Sequence, residues 1–458
     1  MTGLLHALLS GNLILVLVVC VAAVWLAGTL VRHQRPDWHW FLVGYPACWF
    51  RMRWSWRAFT VQCDLTGDRR GQRVLVGGMS VQGQSLRPVI PSLFIGRPLS
   101  DGLRARVRLL PGQTPEQYAR HQAAMMHAWR VHRVRVSSAQ RGFADIRVWN
   151  TDPLSGLVER DPHDPDGWPD GAGEPTDDMP VGGVVGVRED GRAWVIDFRA
   201  RPHWMVTGAT QSGKSTLVHA LMSRLMPFPI ALVGIDLKGG MELSMYRPRL
   251  SGLAISLEGA AALLTALLAL LEARAEACRV AAVQSVWRLG RIPPPVVVLV
   301  DEVARLFRIT GPSQRSERDR AVAALISLAE RGAALGIHLL ICGQRLGSEL
   351  GSGLTALRAE LGGRICHHVH DEESAVMTLG DLWPDAVVAA LLLTEADQGI
   401  AVTSDGAGSW VRARGAYTTA QQAAASASRY AAMAPVLPGI ERPLQQVGGG
   451  AARVRESE

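Results

Sequence analysis

Residues 1–31 contain no Asp, Glu, Lys or Arg, and residues 13–31 form an apolar run of 19 broken only by Thr29. At a helical rise of about 1.5 Å per residue such a run spans roughly 28 Å, the thickness of a bilayer core. A cleavable leader would want basic residues ahead of the run; there are none, so the segment reads as a retained anchor. Arg32, Arg35, Arg51, Arg53 and Arg57 follow it. By the positive-inside rule they place the C-terminal bulk in the cytoplasm, giving a single-pass cell-membrane protein. Trp38, Trp40, Trp49, Trp54 and Trp56, with Phe41 and Phe50, crowd the same flank. Aromatics mixed with arginine suit a headgroup layer, and residues 41–50 allow a re-entrant turn or a shallow second segment. An ordinary core is the competing reading of the tryptophans.

Beyond this anchor region (1–57) the pattern changes. Across residues 58–150 short stretches alternate apolar and polar positions as strands do: 73–76, 105–110, 131–136 and 143–149. Residues 114–129 read as a helix, with Thr114 as N-cap and Glu116 in the first turn. This is a small α/β domain. Residues 151–180 are rich in Asp, Pro and Gly without periodicity, as in a linker. From 181 to 417 the apolar bursts are short and rich in β-branched residues: 195–198, 204–206, 230–235, 296–300 and 339–341. Helical stretches, including 257–287 and 316–335, separate them. That alternation predicts an α/β fold with a mostly parallel sheet covered on both faces. Residues 418–458 read as a low-complexity tail rich in Ala, Gly and Pro.

One loop in this frame carries chemistry. Gly208-Ala209-Thr210-Gln211-Ser212-Gly213-Lys214-Ser215 fits the P-loop spacing, with Thr216 opening a helix-compatible run and an apolar strand leading in. Such a loop turns successive N–H groups inward at a helix N-terminus, where the dipole favours phosphate. Gly208 and Gly213 permit backbone conformations that a Cβ would block. Lys214 would reach the β- and γ-phosphates of ATP, and the Ser215 hydroxyl would bind Mg2+. Charge usage sharpens the assignment: among 48 basic residues only Lys214 and Lys238 are lysines. A compact ammonium fits a phosphate cradle where a planar guanidinium does not.

Residues 296–300 are a buried-strand pattern ending in Asp301-Glu302. Asp301 would hold the Mg2+ shell, and Glu302 would act as general base on the attacking water. The strand pattern 338–342 runs into Gly343-Gln344-Arg345, where Gln344 can sense a γ-phosphate. Net charge is +7, unevenly spread: residues 32–150 hold 19 Arg against 6 acids, and residues 151–180 one Arg against 9 acids. A basic small domain could touch DNA or anionic lipid, or simply present a solvated face. The six cysteines, without a CxxC pair, read as reduced thiols. In Cys366-His367-His368-Val369-His370, strand alternation would put 366, 368 and 370 on one face, inviting a metal reading beside that of a plain strand.

The ordered set Gly208 to Thr216, Ile235-Asp236-Leu237-Lys238, Leu299-Val300-Asp301-Glu302, Gly336-Ile337-His338-Leu339 through Gln344-Arg345, Gly363-Arg364-Ile365 and Val411-Arg412-Ala413-Arg414-Gly415-Ala416 resembles the FtsK/SpoIIIE family of DNA-translocating ATPases. The resemblance covers roughly residues 180–417. The shorter N-terminal part is similar to actinomycete plasmid and integrative-element transfer proteins. The resemblance implies a P-loop NTPase (RecA-like) motor domain that hydrolyses ATP with Mg2+, a homo-hexameric ring threading double-stranded DNA, and an arginine finger from the neighbouring subunit. The nearest candidate finger is Arg331, and Arg345 and Arg358, in the Gly-rich stretch 343–363, would face the DNA. Leu346 stands where the family usually has proline, and residues 418–458 are too short for a winged-helix DNA reader. The resemblance therefore leaves room for a separate DNA-recognition partner. Conjugal transfer of plasmid or integrative-element DNA is the leading role. A chromosome-segregation motor, a protein-secretion ATPase and a non-hydrolysing tether are the alternatives.

Overall fold

The computed structural model describes residues 36–156 and 179–443, apart from residues 68–72, 77–78, 83–87, 139, 309–310, 346, 348–351, 381–383 and 406–408. The chain divides into two units, Met1–Ser155 and Gly156–Glu458.

In the first unit a short helix, Pro36–His39, and a π-turn, Trp40–Gly44, run into α1 (Tyr45–Gln62). Cys48, Met52, Trp56 and Phe59 recur at helical spacing and are all buried. They pack on one face of a four-stranded antiparallel sheet in the order β3-β4-β6-β5: β3 (Ser92–Leu99), β4 (Gly102–Arg108), β5 (Arg133–Ser137) and β6 (Phe143–Trp149). A separate hairpin joins β1 (Arg73–Val76) to β2 (Met79–Gln82). The single helix expected over 114–129 is two, α2 (Pro115–Ala119) and α3 (Gln122–Trp129). Thr114 and Gln117 cap the first, and Arg130 in the left-handed region ends the second.

The membrane reading needs correction. Among the described residues no helix is long and apolar enough to cross a membrane, and the apolar run 13–31 lies outside the described residues. The single-pass cell-membrane placement is therefore not upheld. The Trp-rich flank also reads differently. Trp40 donates its indole N–H to the Leu99 carbonyl at 2.7 Å, and Trp56 to that of Pro91 at 2.8 Å. Both are buried, so helical period rather than headgroup affinity fixes their place. Residues 41–50 are no re-entrant turn: they lie within one helical rod, with Trp38, Phe50 and Trp54 on its exposed side.

The second unit is built on one ten-stranded sheet, β11-β10-β12-β13-β9-β14-β15-β16-β7-β8. Its members are β7 (Gly182–Arg188), β8 (Ala193–Asp197), β9 (His203–Thr207), β10 (Ala231–Ile235), β11 (Gly252–Ala254), β12 (Val296–Val300), β13 (Ile337–Gly343), β14 (Gly363–His367), β15 (Ile400–Ser404) and β16 (Trp410–Gly415). From β11 to β14 the pairing is parallel. From β14 to β8 it is antiparallel. The sheet is thus mixed: β15 and β16 add antiparallel to β14, and the hairpin β7–β8, which precedes the P-loop in sequence, pairs with β16 at the far edge. Helices α4 (Lys214–Leu225), α5 (Leu257–Val280), α6 (Arg315–Arg331) and α7 (Ser352–Glu360) cover it. Val296, Val298 and Val300 face α5 and α6; Val297 and Leu299 face the α4 side. Apolar cover on both sides is why these strands read as unbroken hydrophobic runs.

Part of the stretch read as a tail also belongs to this core. Helix α8 (Ala420–Arg429), capped by Thr419 and Gln422, buries Ala423 and Ala427. Leu437 and Ile440 join the cluster under α5, and Ser251 Oγ donates to the Pro435 carbonyl at 2.7 Å.

Candidate nucleotide site

Strand β9 is flanked by β13 and β14, and the loop after it, residues 208–213, opens beyond the C-terminal strand ends, the usual ligand crevice of a doubly wound sheet. Gly213 takes φ +109° as the cap of α4. A Cβ there would stand 2.6 Å from the backbone of Gly399, and one on Gly208 would stand 2.7 Å from His367 Cβ. Two glycines are therefore needed because the loop is pressed against its support. That support is hydrogen bonded as well: Ala209 N donates to the His368 carbonyl at 2.8 Å, and Gly399 N to that of Ser212 at 3.0 Å. Gln211 holds φ +62°.

Inside the loop the Lys214 ammonium donates to the carbonyl of Gly208 and, at 3.2 Å, to that of Ala209. Burial lowers its pKa, with Cys342, Glu302 and Asp301 opposing. A desolvated ammonium resting on its own loop carbonyls is electrostatically under-compensated, which favours an incoming polyanion. Ser215 Oγ lies 3.5 Å from Glu242 Oε2.

The register of β10 against β12, Ile235 opposite Val300, brings the loop after β10 to Asp301. Lys238 Nζ and Asp301 Oδ2 are 3.0 Å apart. Burial pulls Lys238 down, but its hydrogen bond to Asp301 and the surrounding carboxylates outweigh it and raise the pKa. Asp236, fully buried, accepts from the N–H groups of Lys238, Glu242 and Leu243 at 3.0, 2.8 and 3.1 Å. It shapes the turn that presents Lys238 and Glu242. Glu302 accepts from Gln344 N at 3.4 Å. Burial raises its carboxyl above the ordinary 4.5, with the Gln344 N–H opposing. The Gln344 amide lies 3.4 Å from Thr210 Oγ1, linking the end of β13 to the loop.

Thr210, Lys214, Ser215, Lys238, Glu242, Asp301 and Gln344 line one cavity of about 440 Å³, with Tyr417 at its mouth. Its oxygen donors are a hydroxyl and carboxylates. That set fits Mg2+, which shares its shell with phosphate and water rather than demanding an all-protein cage.

Other expected residues lie elsewhere. Arg331 ends α6 just before the N-terminal end of β13, at the strand ends opposite the loop, and pairs with Glu272 of α5, Nη2 to Oε2 at 3.0 Å. Arg345 is exposed just past Gln344 and paired with Glu373. Arg358 is half-buried on α7, so the Gly-rich stretch 343–363 is not all loop. Strand β14 ends at His367, so alternation does not carry through His368 and His370, and among the described residues no group of three or more His, Cys, Asp or Glu could hold a metal. The sequence reading gave Asp236 and Lys238 no role and missed Glu242 and Tyr417. The signals for Lys238 were a lysine kept in a chain that otherwise uses arginine and its place in the family-like segment Ile235-Asp236-Leu237-Lys238.

Residues 24–150 match the model of the actinomycete conjugal transfer protein N-terminal domain, and residues 171–290 that of the FtsK/SpoIIIE family. The transfer protein TraSA of Streptomyces ambofaciens is 39% identical over 363 residues, covering 76% of this chain and 84% of that one. A sporulation regulatory protein of Streptomyces azureus is 44% identical over 246 residues, 53% of this chain and 81% of that one. Among solved structures, the pCW3 conjugation coupling protein TcpA in monomer form with ATPγS aligns with TM-score 0.50 and 17% identity, over 80% of this chain and 95% of that one. At that identity the likeness concerns the fold.

Proposed function

The chain belongs to the FtsK/SpoIIIE family, in the branch that carries the actinomycete conjugal transfer N-terminal domain, and on that premise we propose that it is an ATPase that drives double-stranded DNA from cell to cell in conjugal transfer. The observation that carries the reading is the convergence of both lysines of the chain on Asp301 and the phosphate-loop residues in one cavity, with the Glu302 carboxylate close enough to act on both lysines.

Lys214 exchanges its loop carbonyls for the β- and γ-phosphates of ATP. Ser215 and Asp301 would hold Mg2+, which would supply positive charge to offset that of the phosphates. Glu302 takes the proton of the attacking water. Its raised pKa brings its basicity toward neutrality, as a general base requires. Gln344 orients that water and ties the γ-phosphate position to the end of β13. Tyr417, half-exposed at the mouth, offers a ring face to the adenine.

Assembly as a hexameric ring follows the family. In such a ring Arg331, which lies away from its own chain's loop, acts on the neighbour's nucleotide, and Arg345 and Arg358 contact duplex backbone. The test is steady-state ATP hydrolysis with and without duplex DNA. The reading expects several-fold stimulation by duplex of any sequence; equal rates with and without DNA would favour a secretion ATPase or a tether and overturn it.

A further inference from the structure

One face of the β3-β4-β6-β5 sheet packs Leu103, Val107, Ala144, Ile146 and Val148 against the helices of the first unit. Pleat alternation sends Arg104, Arg106, Arg108, Arg133, Arg135 and Arg147 to the other face. The register sets three of them in a row on adjacent strands: Arg104 opposite Arg147, and Arg147 opposite Arg135. Like charges directly opposite one another destabilise a sheet, and neighbouring strands are only about 4.8 Å apart. Asp101 offsets Arg147, with Nη2 to Oδ1 at 2.5 Å, and Asp145 offsets Arg106 at 2.7 Å. Arg104, Arg106 and Arg108 are exposed on this face. Arg106 lies over the Phe143 ring at 5.4 Å and Arg147 over Trp149 at 5.3 Å. Stacking of this kind holds a guanidinium flat and leaves its N–H edges outward. At the end of β4, Arg108 continues the face into a cavity it shares with Ser92, Thr114 and Arg141.

We propose that this arginine-lined sheet face binds the phosphate backbone of duplex DNA, as a contact surface additional to the motor. The proposal rests on the reading of duplex DNA as the motor's substrate. Guanidinium forks match phosphate oxygens in pairs, and a row of them is complementary to a polyanion. The face offers Phe94 as its one strongly exposed ring. A single-strand binder would instead need a series of stacking platforms. An anionic membrane would want apolar side chains around the cations, and Phe94 alone does not supply them.

The experiment compares the full chain with its Arg104→Gln/Arg108→Gln/Arg135→Gln form by fluorescence anisotropy, using a 30-base-pair duplex, the matching single strand and anionic phosphatidylserine vesicles over a salt series. Equal melting temperatures show that both are folded, and an Arg104→Lys/Arg108→Lys form keeps the charge while removing the fork. The expected result is at least a tenfold loss of duplex affinity near 100 mM salt. The slope of log affinity against log salt should flatten by about 2 to 3, at roughly 0.9 per phosphate contact. The lysine form should fall between the two. Unchanged duplex affinity and slope in the glutamine form would overturn the proposal, as would a loss confined to single strands or vesicles. Wild-type hydrolysis stimulated by duplex, measured alongside, separates this failure from failure of the motor reading, which stimulation would leave standing.

Discussion

The two sheets of this chain treat their strands in opposite ways. In the second unit, helices cover both faces, so β9, β10, β12 and β13 are buried at every position. No face is left for chemistry, and the groups we propose for catalysis sit where the strands end: Asp301 and Glu302 after β12, Gln344 after β13, and the 208–213 loop after β9. In the first unit, among the described residues, helices cover one face of the four-stranded sheet. Its strands alternate buried and exposed, and β4 reads apolar inward and arginine outward. Coverage therefore decides where function can be carried: at the ends of a sheet covered on both sides, or across the open face of one covered on one side.

Substitutions can break this contrast. The largest effect is expected at the strand ends of the covered sheet. Lys214→Ala removes the phosphate partner and should lower kcat/KM for ATP by about a thousandfold or more. Glu302→Gln should lower kcat by a factor of about 100 to 10,000, the usual contribution of a general base, while ATP still binds in equilibrium titration. Wild-type-like turnover in Glu302→Gln would remove it from the chemistry.

The next effect is on folding. Leu264 of α5 is fully buried in the cluster covering the sheet, and Leu264→Ala should cost about 2 to 5 kcal/mol in denaturant unfolding. Arg104→Gln on the open face should change stability by less than about 0.5 kcal/mol. Comparable losses at both positions would mean that the open face is in fact packed. Lys238→Ala is intermediate, because it strips Asp301 of a part-buried counter-charge. It should cost about 1 to 2 kcal/mol in the nucleotide-free protein, read as a lowered melting temperature. No change would show that Asp301 does not depend on the pair.

The smallest effect is a displacement of a pH profile. Burial raises the Glu302 pKa, so the proton stays on at pH values where an ordinary glutamate has lost it. Activity should fall, as pH is lowered, through a limb lying above 4.5. A limb at or below that value would deny Glu302 the role of a desolvated base.

What the sequence made legible divides along the same line. Strands covered on both faces announce themselves as unbroken apolar bursts, and β12 was readable to the residue. The loop 208–215 was readable because its spacing alone demands glycine and lysine. The antiparallel half was harder. Strand β7 carries Gly182, Gly183 and Gly186, where any Cβ would collide with its neighbours, and glycine lowers strand propensity. Strand β16 buries Arg412 beside Glu189 and therefore looks polar. Lys238 and Asp301 are far apart in sequence, and only the β10–β12 register joins them. The tryptophans misled because one residue type serves two surfaces: in a helix, phase alone separates Trp56 inside from Trp54 outside. Alanine-rich α8 looked featureless because small side chains suit close packing on a sheet's flank yet carry little pattern of their own.

The central claim, that ATP hydrolysis moves this chain along duplex DNA, is tested most directly by displacement of a labelled third strand from a triplex placed on linear duplex. The account predicts ATP-dependent displacement by the wild-type chain, with a lag that grows with the distance between the duplex end and the triplex, and none by Glu302→Gln. Displacement without ATP, or none by a wild-type protein whose hydrolysis duplex DNA stimulates, would contradict it.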